Sequence, residues 1–306
     1  MSAKGIIRNY LARAVAKLPP GILLDRKHAE LFQARGYHVV PDNFYNPIPN
    51  TNDLDHSLWD HPSDMPGITP RLDSQAALLD EFASAGYIDE YFDILYNERA
   101  GHVSGIGRID GALLYGMIRK NQPQRIIEVG AGQSTLWCLS AIRANGSGSL
   151  TSIDPYPADY IRALKFQNFE LIEDRVERLS LDLFTALKEN DILFIDSSHV
   201  IRLAGDVLFE VLDVVPRLAV GCSIHFHDIF LPHHYPRQWA IRGQFWTEQY
   251  LVQAFLAFNP AFEIVWATSM METYRRAELE KHFRRAELEK HFSHFGDSSL
   301  WIRRVV

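Results

Sequence analysis

Three short apolar runs, each delivering an acid or a glycine turn at its C-terminal end, predict a doubly wound α/β fold. Ile126-Ile127-Glu128-Val129 leads into Gly130-Ala131-Gly132, Ser152-Ile153 into Asp154, and Leu193-Phe194-Ile195 into Asp196. Runs of this length, bounded by turn residues and separated by helical patterns, fit strands buried on both faces. Their alternation with helices gives a parallel sheet covered on both sides, and such sheets bind ligands beyond the carboxyl ends of their strands.

Seven strands are expected, at 125–129, 149–153, 169–172, 191–195, 222–227, 262–268 and 299–305. Helices are expected at 134–144, 158–166, near 181–188, at 202–214 and at 239–258. The last two strands lack a crossover pattern, so the final strand is expected to run antiparallel beside its predecessor. Upstream of the sheet, 75–98 and 109–120 read as helical.

The first hundred residues read as an extension. Residues 4 to 18 place Ile6, Ile7, Tyr10, Leu11, Ala14, Val15 and Leu18 at helical spacing, with Lys4, Arg8, Arg13 and Lys17 between them. A basic amphipathic helix of this kind either lies on an anionic membrane surface or docks on the protein or a partner chain. From 37 to 72 the chain turns to Pro, Asn, Asp and aromatic residues without periodicity, which suggests a lid, with Phe44, Tyr45 and Trp59 as candidate substrate contacts. The expected organisation is thus an extension over 1–100 and one main domain over 101–306. Within the latter, Arg275–Phe283 is repeated residue for residue by 284–292. Nine residues advance a helix by about two and a half turns, so Leu279 and Leu288 would face opposite sides of one continuous helix. The segment 271–296 therefore reads as a duplicated, projecting helical insertion.

Composition narrows the function. Across 306 residues, 47% hydrophobic and 23% charged content is that of a globular enzyme, and a net charge of -7 leaves no basic footprint for nucleic acid. No apolar run approaches the ~20 residues that span a bilayer, and the start lacks a secretory signal pattern, so a cytoplasmic location is expected. Two cysteines, Cys138 and Cys222, suggest neither a disulfide framework nor a thiolate metal site.

The glycine turn brings backbone close to a ligand at a helix start, with Ser134 just beyond it. A dinucleotide fingerprint would place a small residue where Thr135 stands, which weakens the pyrophosphate reading. Glu128 precedes the turn, Asp154 is placed to accept from both hydroxyls of a ribose, and Asp174 can reach an adenine amino group. Beyond the fourth and fifth strands, Asp196, His227 and Asp228 can converge on one cation, with His199 close by as the base. In the alternative, His227 is itself the base and no metal binds. His225, deeper in its strand, reads as a hydrogen-bonded core residue, and His233 and His234 as loop residues.

Glu-Val-Gly-Ala-Gly at 128–132, Ile-Asp at 153–154 and Ile-Asp-Ser-Ser-His at 195–199 resemble, in order, the motifs of class I S-adenosylmethionine-dependent methyltransferases. The pattern is most similar to the metal-dependent O-methyltransferases of sugars and natural products, the macrolide-sugar methyltransferase and cephalosporin hydroxylase-like group. The resemblance covers about residues 100 to 306. It implies a Rossmann-like sheet and S-adenosylmethionine as cofactor, with Glu128, Gly130 and Gly132 around its amino acid part and Asp154 on its ribose. It also implies a divalent cation held by an acid after the fourth strand and an acidic pair after the fifth, and a small-molecule or glycan acceptor. The chain departs from that pattern at His227, where an acid is expected; an imidazole suits manganese, iron or zinc at least as well as magnesium. Two other classes stay open: a nicotinamide-dependent oxidoreductase of the same fold, and a non-catalytic cofactor-binding scaffold. Oligomeric state is open.

Overall fold

The computed structural model describes residues 13–15, 17–97, 105–283 and 297–306. They fall into two compact units, 1–56 and 57–306. Most of the expected amphipathic helix at 4–18 and the second copy of the repeat at 284–292 lie outside the described residues.

In the first unit, Asp25 caps the helix Arg26–Gln33 by accepting from the Lys27 amide at 2.9 Å. The asparagine-rich stretch after it is built from side-chain turns. Asn43, Asn46 and Asn50 each accept from the amide two residues on, at 3.0, 3.1 and 3.0 Å, which offers the backbone an alternative to helix or sheet. The rings of Phe44 and Tyr45 meet at 4.2 Å, tilted by 40°, and both are exposed.

The second unit is a doubly wound, Rossmann-like sheet. Its strands are β1 Arg125–Val129, β2 Ser149–Ile153, β3 Phe169–Ile172, β4 Ile192–Ile195, β5 Ser223–Phe226, β6 Phe262–Ala267 and β7 Leu300–Arg304, in spatial order β3-β2-β1-β4-β5-β7-β6. β1 to β5 pair in parallel; β7 is antiparallel to both neighbours and lies between β5 and β6. The chain winds outward one way from β1 to β3 and the other way from β4, so the switch point falls between β1 and β4.

Each face of the sheet carries a core. On one, Leu79 and Phe82 of helix Leu72–Ser84 and Tyr91 of helix Tyr87–Asn97 pack with Leu113 and Ile118 of helix Arg108–Asn121 and with Trp137 of helix Gln133–Asn145. The helices Leu72–Ser84 and Tyr87–Asn97 therefore belong to the second unit, whose boundary falls at 56/57 and not near residue 100. On the other face, Val207, Val211 and Val214 cover Ile127, Leu193 and Ile224.

Three expected helical stretches are interrupted, and the one at 75–98 divides into Leu72–Ser84 and Tyr87–Asn97. The one expected at 202–214 begins at Asp206, whose carboxylate is engaged by the Ser198 amide and hydroxyl at 3.0 and 2.7 Å, and it widens into a π-helical turn over Phe209–Val214. The one expected at 239–258 splits into Arg237–Ile241 and Glu248–Leu256, and Gly243, at φ +82°, turns the chain between them. The first copy of the repeat does not project. Leu279 and Phe283 are buried in the core, Phe283 lies 6.3 Å from Phe92, and Arg275 and His282 pair with Asp73 and Asp80 of helix Leu72–Ser84. Its two large apolar side chains lie four residues apart, on one helical face, and that face is what docks.

Candidate functional site

The parallel ladder continues one residue past each strand and sets the site residues in a row. The Asp154 amide donates to the Ile172 carbonyl at 3.1 Å, Gly130 to Ile153 at 2.8 Å, Asp196 to Val129 at 2.9 Å and His227 to Ile195 at 2.9 Å. Asp154, Gly130, Asp196 and His227 thus follow one another along the carboxyl edge, with the switch point between Gly130 and Asp196.

Gly130 has φ +84°, and a Cβ there would lie 2.0 Å from the Asp196 carbonyl oxygen. Glycine is required on both counts: for the left-handed backbone and for the contact between the turn and the β4 tip. At Gly132 a Cβ would meet nothing within 4 Å, so the space beside the turn is open. A cavity of about 330 Å³ lies along this edge, lined by Gly130, Asp154, Tyr156, Val176, Asp196 and Ser198 among others. Asp154 is fixed in its wall, with Oδ2 accepting from the Ala131 amide at 3.1 Å and Oδ1 from the Tyr156 amide at 2.7 Å. An open space beside a glycine turn, flanked by an oriented carboxylate, fits the ribose and amino acid parts of S-adenosylmethionine.

Of the residues expected to contact the cofactor, Gly130 and Asp154 line this cavity, while Glu128, Gly132, Ser134 and Asp174 do not. Glu128 is fully buried beneath the turn, its carboxylate accepting from Ser134 Oγ at 2.6 Å, Thr135 Oγ1 at 2.7 Å and Ser152 Oγ at 2.5 Å. Burial pushes its pKa up to about 7 against the lowering effect of those three hydroxyls. Glu128 and Ser134 therefore anchor the loop from inside and do not line the cavity, because strand alternation and the hydroxyl-rich start of the next helix turn both inward. Asp174 accepts from the Arg175 amide and from Arg178 at 2.7 and 3.3 Å; its neighbours Arg175, Val176 and Glu177 line the cavity instead.

At the β4 and β5 tips, ligand atoms of Asp196, His199 and Asp228 lie within 4.8 Å of one another, and no other such group of three occurs among the described residues. His199 Nε2 is 3.2 Å from Asp196 Oδ1 and 3.8 Å from Asp228 Oδ2. Ser298 Oγ donates to Asp228 Oδ1 at 3.0 Å. Of the residues expected from the sequence to hold a cation, Asp196 and Asp228 are in this group with His199, and His227 is not among the three. His227 is buried behind the group, and its Nδ1 has no hydrogen-bond partner. Burial alone would lower the His227 pKa, but Asp196, Asp228 and Asp110 raise it.

His199 is held from both sides of its ring. Its Nδ1 is 2.8 Å from Glu248 Oε2, so both ring nitrogens face carboxylates. Burial would depress its pKa, but Asp196 and Glu248 override burial and push it up to about 11. For Asp196, burial acts upward, yet His227 and His199 hold its carboxyl below the usual range. Two carboxylates and an imidazole directed at one point form a donor set suited to a divalent first-row cation such as manganese.

Glu248 and Trp246, whose ring lies 4.2 Å from that of His199, are site residues that the sequence reading missed. The usable signal was Gly243 inside a helical pattern, followed by Thr247-Glu248 as a second helix start. The remaining histidines are placed outside the group. His225 is sealed between Phe194 and Trp301, with Nε2 2.9 Å from Ser299 Oγ. His233 contacts Thr273 at 2.9 Å and His234 contacts Tyr250 at 3.1 Å. Trp59 donates from Nε1 to the Tyr235 carbonyl at 2.8 Å, a packing anchor for the segment before the first long helix.

Residues 127–229 match the family model described as a methyltransferase domain. An uncharacterized protein of Archaeoglobus fulgidus is 28% identical over 186 residues, covering 56% of this chain and 80% of that protein. Among solved structures, the SAH-bound methyltransferase PaMTH1 of Podospora anserina is 15% identical, covers 88% of this chain and 100% of its own, and has a TM-score of 0.41. The O-methyltransferase TomG of Streptomyces achromogenes, involved in tomaymycin synthesis, is 14% identical, with 72% and 90% coverage and a TM-score of 0.42.

Proposed function

We propose, for a chain whose residues 127–229 form a methyltransferase domain of the class I, S-adenosylmethionine-dependent type, that the reaction is O-methylation of a small hydroxylated molecule or glycan assisted by a divalent cation. The observation that carries this reading is the convergence of Asp196, His199 and Asp228 beside a cavity that also holds Gly130 and Asp154.

The sulfonium of the cofactor supplies an electrophilic methyl group, so the protein's task is to align a nucleophile and manage its proton. Gly130 and Gly132 keep the turn free of side chains where the cofactor lies, and Asp154 presents a carboxylate already oriented by two amides. Asp196, Asp228 and His199 would hold the cation, whose charge, when bound, lowers the pKa of a nearby hydroxyl. Asp196 belongs to both halves: its backbone meets the glycine turn and its side chain meets His199. That shared residue brings the cofactor cavity and the acceptor side within reach of each other. On the acceptor side, Trp246, Trp239 and Tyr235 form an aromatic wall next to His199, with ring centroids 4.6 Å apart for the tryptophan pair and 4.2 Å from Trp246 to His199.

Calorimetric titration with S-adenosylmethionine and with Mn²⁺, with and without chelator, followed by an acceptor screen using labelled methyl groups, tests the reading. Expected are cofactor binding that survives chelation and methyl transfer that does not. Methyl transfer indifferent to chelator would remove the cation from the reaction. A thermal shift with NAD and none with S-adenosylmethionine would replace the reaction class altogether. Cofactor binding without transfer to any acceptor would favour a scaffold.

A further inference from the structure

His199 adopts φ +59°, a left-handed conformation that costs energy for a residue with a Cβ and persists only where its surroundings impose it. Here the imposing element is the segment that restarts the broken helix. The Thr247 and Glu248 amides donate to the His199 carbonyl at 2.8 and 3.1 Å. The Ile201 amide donates to Thr247 Oγ1 at 2.8 Å, closing the turn from the other side. Trp246 covers the imidazole face at 4.2 Å, with the rings inclined by 30°. Glu248, with no exposed surface, meets His199 Nδ1 through Oε2 at 2.8 Å, while its Oε1 has no partner.

A carboxylate without access to water is costly to keep unless it makes a strong hydrogen bond, and the one this glutamate makes is to the imidazole. We propose that Glu248 is a positioning residue: it accepts the hydrogen bond from His199 Nδ1, fixes the orientation of the ring, and so turns Nε2 toward Asp196 and Asp228. Carboxylates that accept from the far nitrogen of a ligating imidazole orient the ring and raise its basicity, and their loss typically weakens metal binding by about 10- to 100-fold. The effect on cation affinity rests on the cation reading above; the effect on the ring itself does not.

The test uses the full chain with Glu248→Gln and Glu248→Asp. In metal-free protein, long-range proton–nitrogen correlation spectra of His199 report its ring state directly. The wild type is expected to show a protonated Nδ1 in a strong hydrogen bond. Glu248→Gln should displace that signal, and Glu248→Asp, which keeps the charge on a shorter stem, should recover part of it. Titration with Mn²⁺ should show affinity reduced by about 10- to 100-fold in Glu248→Gln, with a smaller loss in Glu248→Asp. S-adenosylmethionine affinity should stay within about twofold in both, because Glu248 does not line the cofactor cavity. A His199 spectrum unchanged in both variants overturns the proposal, as does an Mn²⁺ affinity unchanged in Glu248→Gln. If Glu248→Gln does not fold, the spectrum of Glu248→Asp decides alone. Should wild-type protein bind no Mn²⁺, the cation reading fails, while the His199 spectra still support or overturn the positioning role.

Discussion

The two halves of the carboxyl edge are built differently. On the β1–β2 side, the Ala131 amide and Asp154 are joined by a hydrogen bond between the tips of neighbouring strands, and Glu128 locks the turn from below through Ser134, Thr135 and Ser152. On the β4–β5 side, His199 is held by Glu248, 49 residues away, and Asp228 by Ser298, 70 residues away. If the turn holds the cofactor and the other side the acceptor, as proposed, acceptor contacts can vary without disturbing the turn. Separate failures on the two sides, one in binding and the other in turnover, are the consequence to look for.

The largest separation is expected from Asp196→Asn and His199→Ala. Both should keep S-adenosylmethionine affinity within a few-fold while turnover falls by about 10³-fold, the size of loss expected when a site can no longer activate the acceptor hydroxyl. Metal analysis of purified protein should then show loss of cation in His199→Ala and retention in His227→Ala; the reverse pattern would restore His227 to the ligand set.

Gly130→Ala tests whether the halves are joined through backbone. Its Cβ would collide with the Asp196 carbonyl in a backbone conformation unsuited to alanine, so a loss of about 3 kcal/mol in urea denaturation is expected, together with weaker cofactor binding. A variant of wild-type stability would mean that the turn and the β4 tip can move apart.

Glu128 makes a prediction about pH. Its folded pKa, about 7, lies above the ordinary value of 4.5, so the folded state binds the proton more tightly than the unfolded chain. The stabilising contribution is therefore complete below about pH 4.5 and lost as pH rises through 7, about 3 kcal/mol at most from this group. Glu128→Gln should flatten the stability profile across that window; an unchanged slope would assign it to other groups.

The smallest effect belongs to Asp154→Asn. Asp154 accepts from two amides, and an asparagine oxygen still does so in part. Cofactor affinity should fall by about tenfold, with cation affinity unchanged. Equal losses in both would show the two halves to be coupled beyond the Asp196 backbone.

What the sequence determined by itself is local and periodic. Apolar runs of strand length, glycines at a forced turn and acids at strand tips are consequences of steric and hydrophobic rules that act within a few residues. They placed all seven strands within a residue or so and put Gly130, Asp154 and Asp196 on one edge. Tertiary structure decided what depends on contacts distant in sequence. Glu128 and Ser134 turned inward because hydroxyls from two elements meet there. Leu279 and Phe283 docked because a neighbouring helix offered an apolar face. His199 meets Glu248 because a glycine-broken helix returns that residue to it, a meeting that no pattern within either segment encodes.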